Sequence, residues 1–287
     1  MLWQTTRFTV DLSRPQVMGI VNITPDSFSD GGHHSDTRTA LAHCEQLLKD
    51  GADILDLGGE STRPGAVQVP LQDELDRVLP VLREALRLGV PISIDTYKPQ
   101  VMRACLDLGA DIINDIWALR WQDPAQPLDG RSVVAGHPGC GVCLMHMHGE
   151  PRTMQVHPMD GDVLPAVHAF LRDAAQDLRD RGVARERIVL DPGIGFGKTV
   201  AQNFSLLGQQ GELLGLGYPL LAGWSRKSSL GAVASPLPGS VVPPGQHERM
   251  APSIAAALLA VERGAAVVRV HDVRETVQAL KVLAAIK

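Results

Sequence analysis

Seven short stretches of this chain end on side chains able to bind or move charge: Asn22, Glu60-Ser61-Thr62-Arg63, Asp95-Thr96, Asn114-Asp115, Asp191, Ser225-Arg226-Lys227, and Arg269 with His271-Asp272. A carboxylate accepts two parallel N–H bonds, and an Asn amide both accepts and donates. Asp191 and Asn114 can therefore pair with the donors of a planar, amide-like heterocycle. Lys227 can donate to a ring carbonyl or nitrogen. Arg63, Arg269 and His271 are cations suited to phosphate oxygens, and Asn22 offers a hard oxygen ligand to Mg2+. Together these residues describe a heterocycle site beside an anion site. Any one of them alone reads equally well as a helix cap or a satisfied core polar group; it is their recurrence that carries the functional reading.

What must position them is a repeated strand. Eight apolar runs rich in Val, Ile and Leu occupy residues 17–22, 54–58, 91–95, 111–116, 142–147, 188–191, 219–224 and 266–270. Each reads as a strand buried on both faces. Amphipathic helical spacing lies between most of them, as in Leu71, Leu75, Val78, Leu79, Leu82, Leu86 and in Val273, Val277, Leu280, Ala284. A weak repeat, Gly51-Ala-Asp-Ile-Leu-Asp, Gly109-Ala-Asp-Ile-Ile-Asn and Gly264-Ala-Ala-Val-Val-Arg, sets a glycine at a predicted helix end just before a strand, where a left-handed cap is expected. No Pro/Ser-rich linker divides the set, so the pattern fits an α/β protein built as a single (β/α)8 barrel of the TIM type. Residues 1–16, with alternating Phe8, Val10 and Leu12, read as a hairpin capping a barrel of residues 17–287. Segments 118–139 and 235–246 read as loop insertions. Active sites of such barrels lie at the C-terminal strand ends, where the polar residues fall.

Composition narrows the function classes. The chain has 287 residues, 44% hydrophobic and 21% charged, with a formal charge of -5. That balance gives no basic footprint for nucleic acid or an anionic membrane. No apolar run reaches the ~18 residues of a membrane helix, and the first residues lack a signal peptide's pattern. The expectation is a cytoplasmic protein in which Cys44, Cys105, Cys140 and Cys143 stay reduced.

Two tempting motifs fail on spacing. In residues 191–199, Gly193-x-x-x-Gly197-Lys-Thr has three intervening residues where a P-loop needs four, and Gly193-x-Gly195-x-Gly197 misses the dinucleotide fingerprint by one. Cys140, Cys143, His146 and His148 suggest zinc, but strand alternation puts Cys143 on the face opposite His146 and His148.

The strings NITPDSFSDGG (22–32), GGESTRPG (58–65), DPGIGFGK (191–198), GWSRKSSLG (223–231) and VVRVHD (267–272) resemble those of the dihydropteroate synthase family, in order and across all eight strand ends. The resemblance implies a barrel, commonly a homodimer and a sulfonamide target, that joins 6-hydroxymethyl-7,8-dihydropterin pyrophosphate to p-aminobenzoate with Mg2+. It implies pterin recognition by Asp95, Asn114, Asp191 and Lys227, with Met145 and Phe196 as apolar neighbours. Asn22 matches the magnesium-associated residue, Thr62, Arg63, Arg269 and His271 the surroundings of the pyrophosphate, and Phe28, Pro64 and Ser228 those of p-aminobenzoate. Asp95, Lys227 and Arg63 are the implied catalytic groups. Two departures are visible: His148 stands where Gln is frequent, and segment 235–246 is longer than usual. A pterin-dependent methyltransferase is the enzymatic rival, with no need for a pyrophosphate set of Arg63, Arg269 and His271. A non-catalytic pterin-binding homologue is the other, for which losses among Asn22, Arg63, Lys227 or His271 would speak.

Overall fold

The expected runs pair as eight parallel strands that close on themselves. In a computed structural model of the chain, residues 1–23, 32–61, 67–123, 127–151, 153–234 and 249–286 are described. The barrel strands are β3 (Gln16–Asn22), β4 (Ile54–Gly58), β5 (Ile92–Asp95), β6 (Ile112–Asp115), β7 (Gly141–Met145), β8 (Ile188–Asp191), β9 (Leu220–Ala222) and β10 (Ala265–Val270), each hydrogen-bonded to the next and β10 back to β3. Around them run α1 (Gly32–Lys49), α2 (Leu71–Ala85), α3 (Pro99–Leu108), α4 (Gly130–Gly136), α5 (Leu164–Asp180), α6 (Val200–Gln209), α7 (Ser228–Val233), α8 (Met250–Glu262) and α9 (Val273–Ala284).

Outward strand residues such as Val21, Leu55, Leu57 and Ile94 pack under the helices, which turn their buried stripes inward, Val78, Val81, Leu82 and Ala85 in α2. The three repeat glycines do adopt the left-handed conformation, with φ of 102° at Gly51, 107° at Gly109 and 91° at Gly264. That region is sterically costly for residues with a Cβ.

Residues 1–16 contain a two-stranded antiparallel sheet, β1 (Leu2–Gln4) and β2 (Thr9–Asp11), with Trp3 opposite Val10. Trp3 is fully buried against Val10, Leu12 and the inward residues Met18, Ile54, Ile112, Cys143, Val189, Leu221 and Val267. Its indole donates to Arg187 O at 3.0 Å. Phe8 is only half-buried, beneath the Arg7 guanidinium.

Segment 118–139 is not wholly a loop. It holds α4, capped by the Asp129 side chain, which accepts from Ser132 N at 3.0 Å. The flanking glycines and the seven-residue length hid its periodicity, whereas the Asp cap was a legible start signal. Segment 235–246 lies outside the described residues. No helix among the described residues is long and apolar enough to cross a membrane, and all four cysteines are buried free thiols.

Candidate active site

Because side chains alternate along a strand, most barrel strands turn a residue at or just past their C-terminal ends into the barrel mouth. There a cavity of about 420 Å3 is lined by Asn22, Asp95, Asn114, Met145, Asp191, Phe196, Lys227, Ser228, Arg269 and His271, all ten named from the sequence. The neighbouring polar residues often serve the fold instead. Asp115, beside Asn114, points away and accepts from Trp117 N at 2.8 Å and Leu119 N at 2.6 Å, fixing a turn in which Ala118 and Leu119 have positive φ. Phe28, Thr62, Arg63 and Pro64 lie outside the described residues.

At the centre, Arg269 bridges two carboxylates: Nε donates to Asp56 Oδ2 and Nη2 to Asp95 Oδ2, both at 2.6 Å. Asn114 Nδ2 donates to the same Asp56 oxygen at 3.2 Å. Asp56 was not singled out from the sequence, yet a charged residue two positions after inward Ile54 in an apolar strand was a readable signal. Burial raises Asp95 to about 7, with the Arg269 charge acting against it. The carboxylates hold the Arg269 guanidinium above its ordinary range. Arg269 thus reaches the cavity with two of its donors already engaged.

On the opposite wall, Asp191 Oδ1 accepts from Gly193 N at 2.7 Å, opening the β8–α6 loop. Burial raises the Asp191 carboxyl, opposed by that N–H and by Lys227. Burial also lowers Lys227 to about 8, opposed by Asp191. Lys227 Nζ stands 4.2 Å from the centroid of the Phe196 ring, a cation on an aromatic face. The glycines here serve close packing rather than phosphate. Gly193 has φ 69°, and a Cβ on it would fall 1.8 Å from His146 O; one on Gly197 would fall 2.4 Å from His148 O.

The zinc candidates disperse. Cys143 enters the barrel core, Cys140 packs on Arg187, and His146 meets Lys198.

His271 closes the third side. Ser225 Oγ accepts from His271 N at 3.1 Å and lies 2.9 Å from Nδ1. With Ser225 donating to Nδ1, the ring carries its proton on Nε2. Arg226, at φ 58°, is held by Asp272 through Nε and Nη2. Arg249 also lines the cavity; it follows Lys227 at a distance along the chain, and nothing local in the sequence marked it. At the rim, Glu60 accepts from Tyr97 Oη at 2.9 Å and from Lys98 Nζ, which also donates to buried Glu74.

An apolar wall, a facing set of buried carboxylates and amides, and a ring of Arg, Lys and His define a site for a polar planar heterocycle attached to an anion. Residues 18–271 match the pterin-binding enzyme family. A dihydropteroate synthase of Neisseria meningitidis serogroup C is 48% identical over 98% of this chain and 95% of its own. The structure of the Burkholderia cenocepacia dihydropteroate synthase complexed with 7,8-dihydropteroate is similar at TM-score 0.85 and 49% identity, covering 99% of this chain and 96% of that one. The Yersinia pestis dihydropteroate synthase, solved in a sulfonamide drug complex, is similar at TM-score 0.88 and 43% identity, covering 100% and 99%. The chain belongs to the pterin-binding enzyme family and, within it, to the dihydropteroate synthases.

Proposed function

We propose that the cavity at the strand ends transfers the pterinylmethyl group of 6-hydroxymethyl-7,8-dihydropterin pyrophosphate to the amine of p-aminobenzoate. The observation that carries the reading is the convergence of Asp95, Asn114, Asp191 and Lys227 with Arg269 and His271 on one cavity. Asp191 and Asn114 bind the pterin's N–H edge, and Lys227 donates to its ring. The methylene C–O bond breaks with pyrophosphate as leaving group, and the amine nitrogen forms the new C–N bond and releases a proton. Positive charge that develops on the pterin is faced by Asp95 and Asp191, and negative charge on the leaving group by His271 and Arg269. From the family resemblance, Arg63 and Thr62 join the anion side, and Phe28, Pro64 and Ser228 the arylamine side. No covalent enzyme intermediate is needed.

Magnesium fits as an ion shared with substrate. Asn22 lines the cavity and carries an amide oxygen, and Mg2+ is commonly held by few protein ligands together with substrate phosphates and waters. Among the described residues no cluster of three acidic, His or Cys ligands forms an all-protein cage. Bound there, the ion would neutralise pyrophosphate charge.

A homodimer is supported by α8, whose buried face (Ala256, Ala257, Ala260) is matched by an outer face of Ala251, Ala255 and Leu259, apolar on both sides. Residues 1–16 are read as a cap on a barrel of 17–287, and the buried free thiols suit the cytoplasm. Sulfonamides, as arylamine analogues, are expected to compete with p-aminobenzoate. Incubating purified protein with both substrates and Mg2+ should give 7,8-dihydropteroate and pyrophosphate in equal amounts, and chelation should stop it. Absence of product with Mg2+ present overturns the reading.

A further inference from the structure

Lys198 closes the β8–α6 loop and is 2% exposed, yet it does not line the cavity. Its Nζ donates to Gly193 O at 2.8 Å, to Phe196 O at 3.1 Å and to His146 Nδ1 at 2.9 Å. A fourth acceptor, His146 O, lies farther off at 3.5 Å, so the ammonium's three hydrogens meet their three nearest partners in those first named. None of these is a carboxylate. A buried cation satisfied only by neutral acceptors is a poor device for stability, because the desolvation it suffers is not met by an opposite charge in contact.

The contact fixes chemistry instead. Two of the acceptors are carbonyls of the loop itself, and the others belong to His146 just beyond β7, so the ammonium pins the loop to the neighbouring strand. Burial lowers Lys198 to about 7, opposed by Asp191, so below that pH it is an ammonium donating to Nδ1, and His146 is then the neutral ring with its proton on Nε2. Burial and the Lys198 charge press the same way, lowering His146 to about 3. The pinned loop supplies the Gly193 N–H that orients Asp191 and the Phe196 ring beneath Lys227.

We propose that Lys198 and neutral His146 are positioning residues for this reaction: they lock the β8–α6 loop so that Asp191, Phe196 and Lys227 meet the pterin already in place. The proposal rests on the pterin reading of the cavity. An error of about 1 Å in such a site can lower rates by roughly a hundredfold, so a loop anchor is as consequential as a contact residue.

The test compares His146→Asn, whose amide oxygen can replace the Nδ1 acceptor, with His146→Leu, which cannot, and adds Lys198→Met. Affinity for a phosphate-free pterin is titrated by calorimetry, with thermal midpoints measured alongside. His146→Leu and Lys198→Met should lose roughly tenfold or more in affinity, and His146→Asn no more than about threefold, at temperatures where all are folded. Equal losses for the Asn and Leu variants, or no loss in any, overturn the proposal while leaving the pterin site intact. If the unsubstituted protein itself binds no pterin, the function reading falls and this proposal with it. A second measurement needs no variant: 15N spectra of the histidine rings at about pH 6, where Lys198 is charged, should show His146 protonated at Nε2, and a proton found on Nδ1 overturns the proposal.

Discussion

The two ends of the barrel are built from the same strands two residues apart, yet they do opposite things. Lower on the strands stand Ile54, Ile112, Cys143, Val189, Leu221 and Val267; one inward step later stand Asp56, Asn114, Met145, Asp191, Gly223 and Arg269. Beneath, Trp3 seals a layer with hardly a polar atom. Above, several buried carboxylates share space with Arg269 and Lys227, and burial raises Asp95 and Asp191 while lowering Lys227. The period of two lets a strand be core at one residue and site at the next. The lower layer gives stability that the upper layer draws on, since buried charges in incomplete pairs destabilise a fold.

Substitutions at either end should separate these roles. Trp3→Ala removes the largest side chain of the lower layer and leaves Arg187 O without its donor. It should lower unfolding free energy by about 3–5 kcal/mol in urea titrations while pterin affinity is preserved. A fall in affinity in the folded variant would show that the two ends are coupled. Asp191→Asn is the reverse experiment. It puts an amide donor where the pterin N–H and Gly193 N–H both need an acceptor, and should weaken pterin binding by about 1–3 kcal/mol, roughly five- to 150-fold. Its thermal midpoint should hold or rise, because a buried charge has been removed. Unchanged affinity in calorimetry would take Asp191 out of the pterin site.

The difference between the ends also explains what was legible in the sequence. Parallel strands buried on both faces read as unbroken apolar runs, so the eight strands were visible, though their last residues were not: the run 142–147 ends as a strand at Met145, where the chain turns to carry His146. Polar residues that end an apolar run stand out, and ten residues at or near such ends meet in one cavity. Asp56 was missed because it sits inside a run rather than at its end. Lys198 was set aside with a failed P-loop, since spacing can exclude phosphate binding without revealing what the glycines are for. Trp3 was passed over because three-residue strands carry too little alternation to orient a side chain. Arg249 is brought to the cavity by the barrel's closure, which no local pattern encodes.

The smallest expected effect lies just past the upper end, at His146, and depends on pH. Burial, then the Lys198 charge, lowers its folded pKa to about 3, whereas an unfolded His titrates near 6.5. Between those values the unfolded chain binds a proton that the folded protein does not, so this group's contribution to stability is present above about pH 6.5 and is lost as pH falls toward 3. One proton's difference amounts to about 1 kcal/mol between pH 6 and pH 5. Buried carboxylates with raised pKa values, such as Asp95, work in the opposite sense over the same range, and a single pH–stability curve would mix the two. Comparing the protein with His146→Leu isolates the histidine, because the carboxylates are common to both. Unfolding free energies from urea titrations at pH 6 and pH 5 should show the unsubstituted protein losing about 1 kcal/mol more than the variant over that step. A parallel fall in the two would mean that His146 is protonated in the folded protein, and Lys198 would then face a second cation in place of its Nδ1 acceptor.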